Sequence, residues 1–247
     1  MTDNAISSLN ITGLSSLQSL FCINNQISTL DLSTNTALKT LSCRFNNFTS
    51  LNLSNLIALE KLYCDNNPLT ELNVSANTAL INLDCGNTQL TSLDVSNATN
   101  LKTLSCSISN ITLLDLHNNT KLTELSCANN QITSINVSGL TLLSSINCSY
   151  NNLTSLDVST NTALKYFTCN ANPLKEIKGY FAGNIATINA MGEGYIYYLY
   201  TPFNYFPDAD VCAVSSDDNK YKIKDWTQGE TVVSTSNNYN TALLTGT

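Results

Sequence analysis

The sequence predicts a mainly β protein: a solenoid of short 21-residue coils, nearly straight, followed by a small C-terminal all-β domain. Three observations lead to this fold class. A cysteine recurs every 21 residues, and leucines recur with the same period. Apolar and polar residues alternate within each unit. The composition changes near Gly179, because eight of the 11 tyrosines and the only tryptophan lie beyond it. A fixed period of this length indicates stacked units that bury a shared core.

Each unit follows the pattern L-x-x-L-x-C-x-x-N-x-L-T-x-L-D-V-S-x-N-x-x, and a half unit precedes the first. The solenoid is predicted to span residues 1–180 and the second domain residues 181–247. Coils one to eight begin at Leu17, Leu38, Leu59, Leu80, Leu101, Leu122, Leu143 and Leu164. The pairs Leu41/Cys43 and Leu51/Leu53 alternate with polar residues, which is typical of half-buried strands. We therefore expect each coil to hold a strand, a turn, a second extended segment and a second turn.

The cysteines form one register of the repeat and are predicted to point into the core as small hydrophobic residues. Stacked thiols would point the same way, whereas a disulfide needs suitably aimed Cβ atoms. The C-x-x-C spacing of many zinc sites does not occur in the sequence. We therefore expect free structural thiols. The register comprises Cys22, Cys43, Cys64, Cys85, Cys106, Cys127, Cys148 and Cys169.

Asparagines form two further registers. The first is expected to satisfy backbone groups of the turn, because a side-chain amide both donates and accepts hydrogen bonds. It comprises Asn25, Asn46, Asn67, Asn130, Asn151 and Asn172, with Thr88 and Ser109 in the two middle coils. The second alternates with apolar residues, for which the sequence offers no physical account. It comprises Asn35, Leu56, Asn77, Ala98, Asn119, Leu140 and Asn161.

Composition argues against several classes of partner and chemistry. The formal net charge is −7 and only 12% of residues are charged, so nucleic acid is not expected as a partner. No apolar run approaches the length of a membrane span, so membrane insertion is not expected. The only histidine, His117, occupies a register of serines, and we expect neither catalysis nor a cofactor. A weak Ca²⁺ site on the stacked Asp94 and Asp115 remains an alternative to a merely solvated stripe. We expect a monomer.

The repeats resemble bacterial leucine-rich repeats, specifically the 21-residue class with a cysteine ladder found among internalin-like surface proteins. Phrases such as "LTSLDVSNATNLKTLSC" and "LTSLDVSTNTALKYFTC" carry the resemblance, which covers about residues 6 to 178. It implies a leucine-rich-repeat solenoid that is extracellular or on the cell surface, binds other molecules and has no catalysis of its own. The N-terminus does not look like a signal peptide, so we expect any native secretion signal to have been removed.

The tail "YKIKDWTQGETVVSTSNNYNTALLTG" resembles a small all-β repeat module of bacterial surface proteins. That module normally has one more apolar strand, so the resemblance implies that this domain is truncated. Read from the residues, six strand-like runs follow residue 181: "IATINA", "YIYYLY", "VCAV", "YKIKDW", "TVVST" and "TALL". Both arguments predict a small β domain.

The leading functional hypothesis is a non-enzymatic surface or secreted recognition or adhesion protein. It would bind a protein or glycan through the exposed front sheet of the solenoid. A passive spacer that projects neighbouring domains is the alternative. The predicted partner-binding patch stands out because most front positions are small and polar, whereas aromatic residues and arginine dominate binding hot spots. It comprises Phe21, Ile23, Arg44, Lys61, Tyr63 and Asp65. Alternatively, the end coils simply tolerate bulky residues, or Phe21 packs under a capping segment.

Overall fold

The chain folds as a parallel β-solenoid in which one short strand of each coil adds to a continuous sheet. A computed structural model describes residues 2–180 and, beyond them, the backbone of five short strands. No helix occurs among these described residues. The strands are β1 (Ser19–Phe21), β2 (Thr40–Ser42), β3 (Lys61–Tyr63), β4 (Asn82–Asp84), β5 (Thr103–Ser105), β6 (Glu124–Ser126), β7 (Ser145–Asn147), β8 (Ser155–Asp157), β9 (Tyr166–Thr168), β10 (Glu176–Tyr180), β11 (Thr187–Asn189), β12 (Tyr198–Tyr200), β13 (Val211–Cys212), β14 (Trp226–Gln228) and β15 (Thr231–Ser234).

The front sheet has ten parallel strands in the order β1-β2-β3-β4-β5-β6-β7-β9-β11-β13. Equivalent residues of neighbouring coils pair, so that Leu20 lies opposite Leu41 and Leu41 opposite Leu62. The middle residue of each strand is buried in coils one to eight. The 21-residue period therefore sets the register of the sheet, as the sequence predicts.

The cysteine ladder is buried and its thiols are free. The eight ladder cysteines are at most 1% exposed, and none forms a disulfide. Burial raises the pKa of Cys22 to about 11 and the pKa values of Cys127 and Cys169 to about 12. A thiolate is thus strongly disfavoured inside the ladder. The ladder acts as part of the hydrophobic core, as predicted.

The first asparagine register clamps neighbouring coils together at the turn. In coil two, the Asn46 amide donates to the carbonyls of Cys22 and Cys43, at 2.8 and 3.1 Å. Its Oδ1 accepts the backbone N–H of Ile27 at 3.0 Å. The clamp recurs at Asn67, Asn130, Asn151 and Asn172. The predicted turn-satisfying role of these asparagines is confirmed.

The second asparagine register clamps every second pair of coils at the opposite turn. The Asn77 amide donates to the carbonyls of Leu53 and Leu56 in the preceding coil, at 3.1 and 2.9 Å. Asn35, Asn119 and Asn161 make the equivalent pairs of bonds. The Oδ1 atoms of these four asparagines have no partner among the described residues. This clamp is therefore weaker than the first, because it leaves a buried acceptor unsatisfied.

The second segment of each coil is extended, as the sequence predicts, but among the described coils it pairs as a strand only in coils seven and eight. The predicted alternation is present: Leu51 and Leu53 are buried while Asn52 is exposed. However, among the strands that the structure describes, only β8, β10 and β12 pair as a sheet on this side. The Asn52 side chain fixes the turn that follows, where it accepts the N–H of Ser54 at 3.2 Å.

Parallel pairing continues beyond residue 180. Strand β11 pairs with β9, β13 with β11, and β12 with β10, whereas β14 and β15 form an antiparallel pair. Four of the six predicted runs contain a described strand, "YKIKDW" meets β14 only at Trp226, and "TALL" lies outside the described residues. The separate domain at 181–247, its truncation and the straightness of the stack remain predictions.

Candidate interaction site on the front sheet

The predicted patch lies across coils one to three of the front sheet. Phe21, Ser42 and Tyr63 occupy equivalent positions at the ends of β1, β2 and β3. Phe21 is 47% exposed, yet Ser42 between the two aromatic residues is only 2% exposed. Alternation directs Ser42 away from the core, since Leu41 and Cys43 beside it point inward. Neighbouring side chains must therefore cover Ser42, so the outer face of the sheet has no gap between Phe21 and Tyr63.

Arg44 organises the centre of the patch. Its Nε donates to Asp65 Oδ1 in the next coil, and its Nη2 donates to Asp84 Oδ2 two coils away. The guanidinium carbon lies 5.0 Å from the centre of the Tyr63 ring, within cation–π range. The guanidinium is thus fixed in orientation by two carboxylates and an aromatic face.

Asp65 is the most covered charged member of this cluster, at 8% exposed. Burial raises the pKa of the Asp65 carboxyl, and the hydrogen bond from Arg44 opposes that rise. Its Oδ2 accepts the side-chain amide of Asn66 at 2.6 Å. Asp65 therefore positions Arg44 and Asn66, although the sequence predicted that its side chain would face outward as a contact residue.

The other predicted members lie near this cluster without an ion pair in it. Lys61 is exposed on β3 and forms no ion pair with a described residue, and Ile23 is partly exposed. The residue that sequence reasoning missed is Asp84, whose side chain is 22% exposed. Its register could have suggested it, because Asp84 stacks directly on Tyr63 in the sheet.

The alternative metal and acid–base positions have structural roles. Asp94 Oδ1 accepts the backbone N–H of Ser96 at 2.9 Å, and Asp115 Oδ1 accepts that of His117 at 3.1 Å. His117 Nδ1 also lies 2.9 Å from Asp115 Oδ1. No group of three or more metal-ligating side chains suited to an ion occurs among the described residues. A search of the same residues finds no helix able to cross a membrane.

Comparison with known proteins identifies the type of solenoid. No protein-family model and no curated protein sequence matches the chain. Among solved structures, the functional domain of InlJ from Listeria monocytogenes, which includes a cysteine ladder, is 33% identical with a TM-score of 0.57. The match covers 81% of this chain and 52% of that one. The fold fits a leucine-rich-repeat solenoid. The chain spans about half the length of the InlJ domain.

Two further structures support the same fold. Internalin C2 from Listeria monocytogenes is 26% identical over 66% of this chain and 75% of that chain, with a TM-score of 0.60. The plant peptide hormone receptor RGFR1, solved in complex with RGF2, is 22% identical with a TM-score of 0.59, over 79% of this chain and 32% of that chain. At that identity the receptor supports the fold alone. The similarity to internalin-type repeats and the cysteine ladder agree with the sequence prediction.

Proposed function

We propose that this chain is a non-enzymatic recognition or adhesion protein, secreted or held at a bacterial surface, whose front sheet binds a protein or glycan partner. The observation that carries the proposal is the Arg44 cluster, in which a guanidinium is fixed over Tyr63 by Asp65 and Asp84. Arginine and tyrosine are enriched in binding hot spots, and a side chain that is already ordered loses less entropy on binding. The similarity to internalin-type proteins supports the surface location.

The contact surface extends from the cluster to its aromatic and charged neighbours. Phe21 supplies exposed apolar area, and Lys61 adds a positive charge on β3. Two cations and two carboxylates thus lie on one small area, because Arg44 and Lys61 accompany Asp65 and Asp84. Mixed charges around aromatic residues favour a protein over a neutral glycan at this surface, since complementary charges steer and orient protein partners.

A binding screen tests this proposal. Wild-type protein and an Arg44→Ala, Tyr63→Ser double variant would be applied to arrays of immobilised surface proteins and glycans. Tyr166→Ser is the matched control, because Tyr166 is also on the front sheet and is 56% exposed. We expect the double variant to weaken binding by about 10- to 100-fold while the control binds as the wild type does. Equal binding by all three proteins would eliminate the patch.

A passive spacer is the second candidate. It is favoured by the front positions of coils five and seven, where Thr103, Ser105, Ser145 and Asn147 are small and polar. Small polar side chains of this kind are rarely binding hot spots. No binding by any of the three proteins in the screen would support the spacer, in which the solenoid only sets a distance between its ends.

A further inference from the structure

A strained backbone position recurs at the turn beside the front sheet. The residue before each asparagine of the first register has a left-handed backbone, with φ between 50° and 59°. Asparagine tolerates this conformation, and it occupies the position in four of the eight coils, whereas bulky residues are unfavourable there. Phe45 nevertheless holds it in coil two with its side chain 50% exposed. Ile108 and Tyr150 hold the same position in coils five and seven and are 56% and 55% exposed, so a bulky residue there is not peculiar to Phe45.

A groove opens next to Phe45 on the same edge of the solenoid. It is a shallow, largely open depression with a volume of about 400 Å³. No side chain that lines it is ionisable. The lining consists of one aromatic ring, one proline, four amide side chains and one hydroxyl, from Phe45, Pro68, Asn66, Asn67, Asn87, Gln89 and Thr88.

The groove coincides with a break in the asparagine clamp. Asn67 Oδ1 accepts the N–H of Phe48, and Asn46 Oδ1 accepts the N–H of Ile27 one coil earlier. In the next coil Thr88 replaces asparagine, and its hydroxyl bonds instead to the carbonyl of Cys85 at 3.0 Å. The N–H of Leu69, directly after Pro68, therefore lacks the side-chain acceptor found in the equivalent coils. The replacement removes an amide from the space between coils three and four.

Two of the amides on the rim, those of Asn66 and Asn87, are held in place by hydrogen bonds. Asn87 Nδ2 donates to Asn66 Oδ1 at 2.6 Å, and Asn66 Nδ2 donates to Asp65 Oδ2 at 2.6 Å. Arg44 holds Asp65 in turn. The Asn87 Oδ1 and the Gln89 amide have no hydrogen-bond partner among the described side chains and backbone groups. They offer an acceptor and a donor–acceptor pair at the groove.

We infer that this groove binds a neutral sugar residue, with one sugar face packed on Phe45 and its hydroxyl groups bonded to Asn87 and Gln89. Sugar hydroxyls both donate and accept, as do the amides that face them. An aromatic face provides apolar area at little conformational cost. A charged ligand would find no counter-charge in the lining, and a peptide anchor would need a deeper apolar pocket. The site lies beside the front patch and does not depend on the patch having a partner.

Saturation-transfer NMR with glucose, galactose and N-acetylglucosamine as probes tests this inference. Phe45→Asn installs the residue of neighbouring coils, so it relieves backbone strain while removing the ring. Tyr150→Asn is the matched control, because Tyr150 has the same backbone conformation (φ 54°), is 55% exposed and lies outside the groove. We expect at least one sugar to bind the wild type and the control, and to bind Phe45→Asn about tenfold more weakly.

Gln89→Ala gives a second measurement that does not alter the strained turn, and it should weaken binding of the same sugar by several-fold. Methyl glycosides of the three sugars would show the source of the ligand: tighter binding than the free sugar indicates a glycan chain, and weaker binding indicates a free sugar. The inference is overturned if none of the sugars binds the wild type, or if both groove variants bind as the wild type does. Loss of a protein partner in the front-patch variants would not affect this result.

Discussion

Replacing Asn151 by alanine tests the asparagine clamp on which the stack depends. Asn151 is 5% exposed, and its amide lies within 3.0–3.1 Å of the carbonyl oxygens of Cys127, Cys148 and Ser149. Its Oδ1 accepts the N–H of Ile132 at 3.0 Å. One side chain thus joins coil seven to coil six and closes its own turn. Alanine removes every one of these bonds and leaves a buried N–H without its acceptor.

The expected loss of stability follows from these contacts. Two amide hydrogens and one oxygen make at most three good hydrogen bonds, each with a net value of about 1 kcal/mol. The bond to the Ile132 N–H is counted instead as the penalty of leaving that N–H unsatisfied, about 1–3 kcal/mol. We therefore expect Asn151→Ala to lower the free energy of unfolding by about 3–5 kcal/mol.

Urea unfolding followed by circular dichroism measures this loss. Asn152→Ala is the control, because the neighbouring Asn152 is exposed and its side chain makes no hydrogen bond to a described residue. The control should change the free energy of unfolding by no more than about 0.5 kcal/mol. If Asn151→Ala differed from this control by less than about 1 kcal/mol, the asparagines would not hold the coils together.

Three more predictions concern the thiols, the aspartate turns and the gap in the clamp. The ladder thiols should resist Ellman's reagent in the native protein, whereas all nine cysteines should titrate as reduced in denaturant; disulfides between ladder positions would contradict the core role. Cys106→Ser should cost about 1–3 kcal/mol in unfolding free energy. Hydrogen bonds from Ser96 lower the pKa of Asp94 below 3.8, so its stabilising effect is present above that pH and is lost as the pH falls through the folded-state pKa. Asp94→Asn should therefore flatten the acid limb of the stability–pH curve, and an unchanged limb would refute this assignment. Thr88→Asn should restore the missing clamp, raise the free energy of unfolding by about 1 kcal/mol and narrow the groove; a lower stability would count against the proposed gap.

The sequence was sufficient to predict the core because leucine, cysteine and asparagine repeat in a register that any parallel stack must bring together. It also placed Arg44, Tyr63 and Asp65 on one surface. It did not predict that Arg44 bonds to Asp84, because the two residues are 40 positions apart and meet on a diagonal across two coils. Periodicity compares like positions only and so overlooks diagonal contacts. The left-handed turn at Phe45 was missed for a related reason, since the period reveals a position without revealing its backbone angles.

The junction between coils three and four connects the clamps, the patch and the groove. Every earlier or later junction from coil one to coil seven has at least one asparagine clamp, but this one has Thr88 at one turn and Ala98 at the other. The front-sheet pairing of β3 with β4 remains. The bond from Arg44 to Asp84 also spans this junction, together with the exposed bonds from Asn87 to Asn66, Asn97 to Ser75 and Asn100 to Thr78.

The candidate sites therefore lie at the junction where both buried asparagine clamps are missing. Loss of the asparagine at Thr88 opens space for a ligand, and the Arg44 cluster keeps the two coils in register beside that space. A partner that contacts Arg44 would affect the bond from Arg44 to Asp84 across this junction. A ligand in the groove would instead supply contacts in place of the missing asparagine clamp at Thr88. Binding at either site should consequently protect the backbone amides of coils three and four from hydrogen exchange more than those of coils six and seven, where both clamps are present.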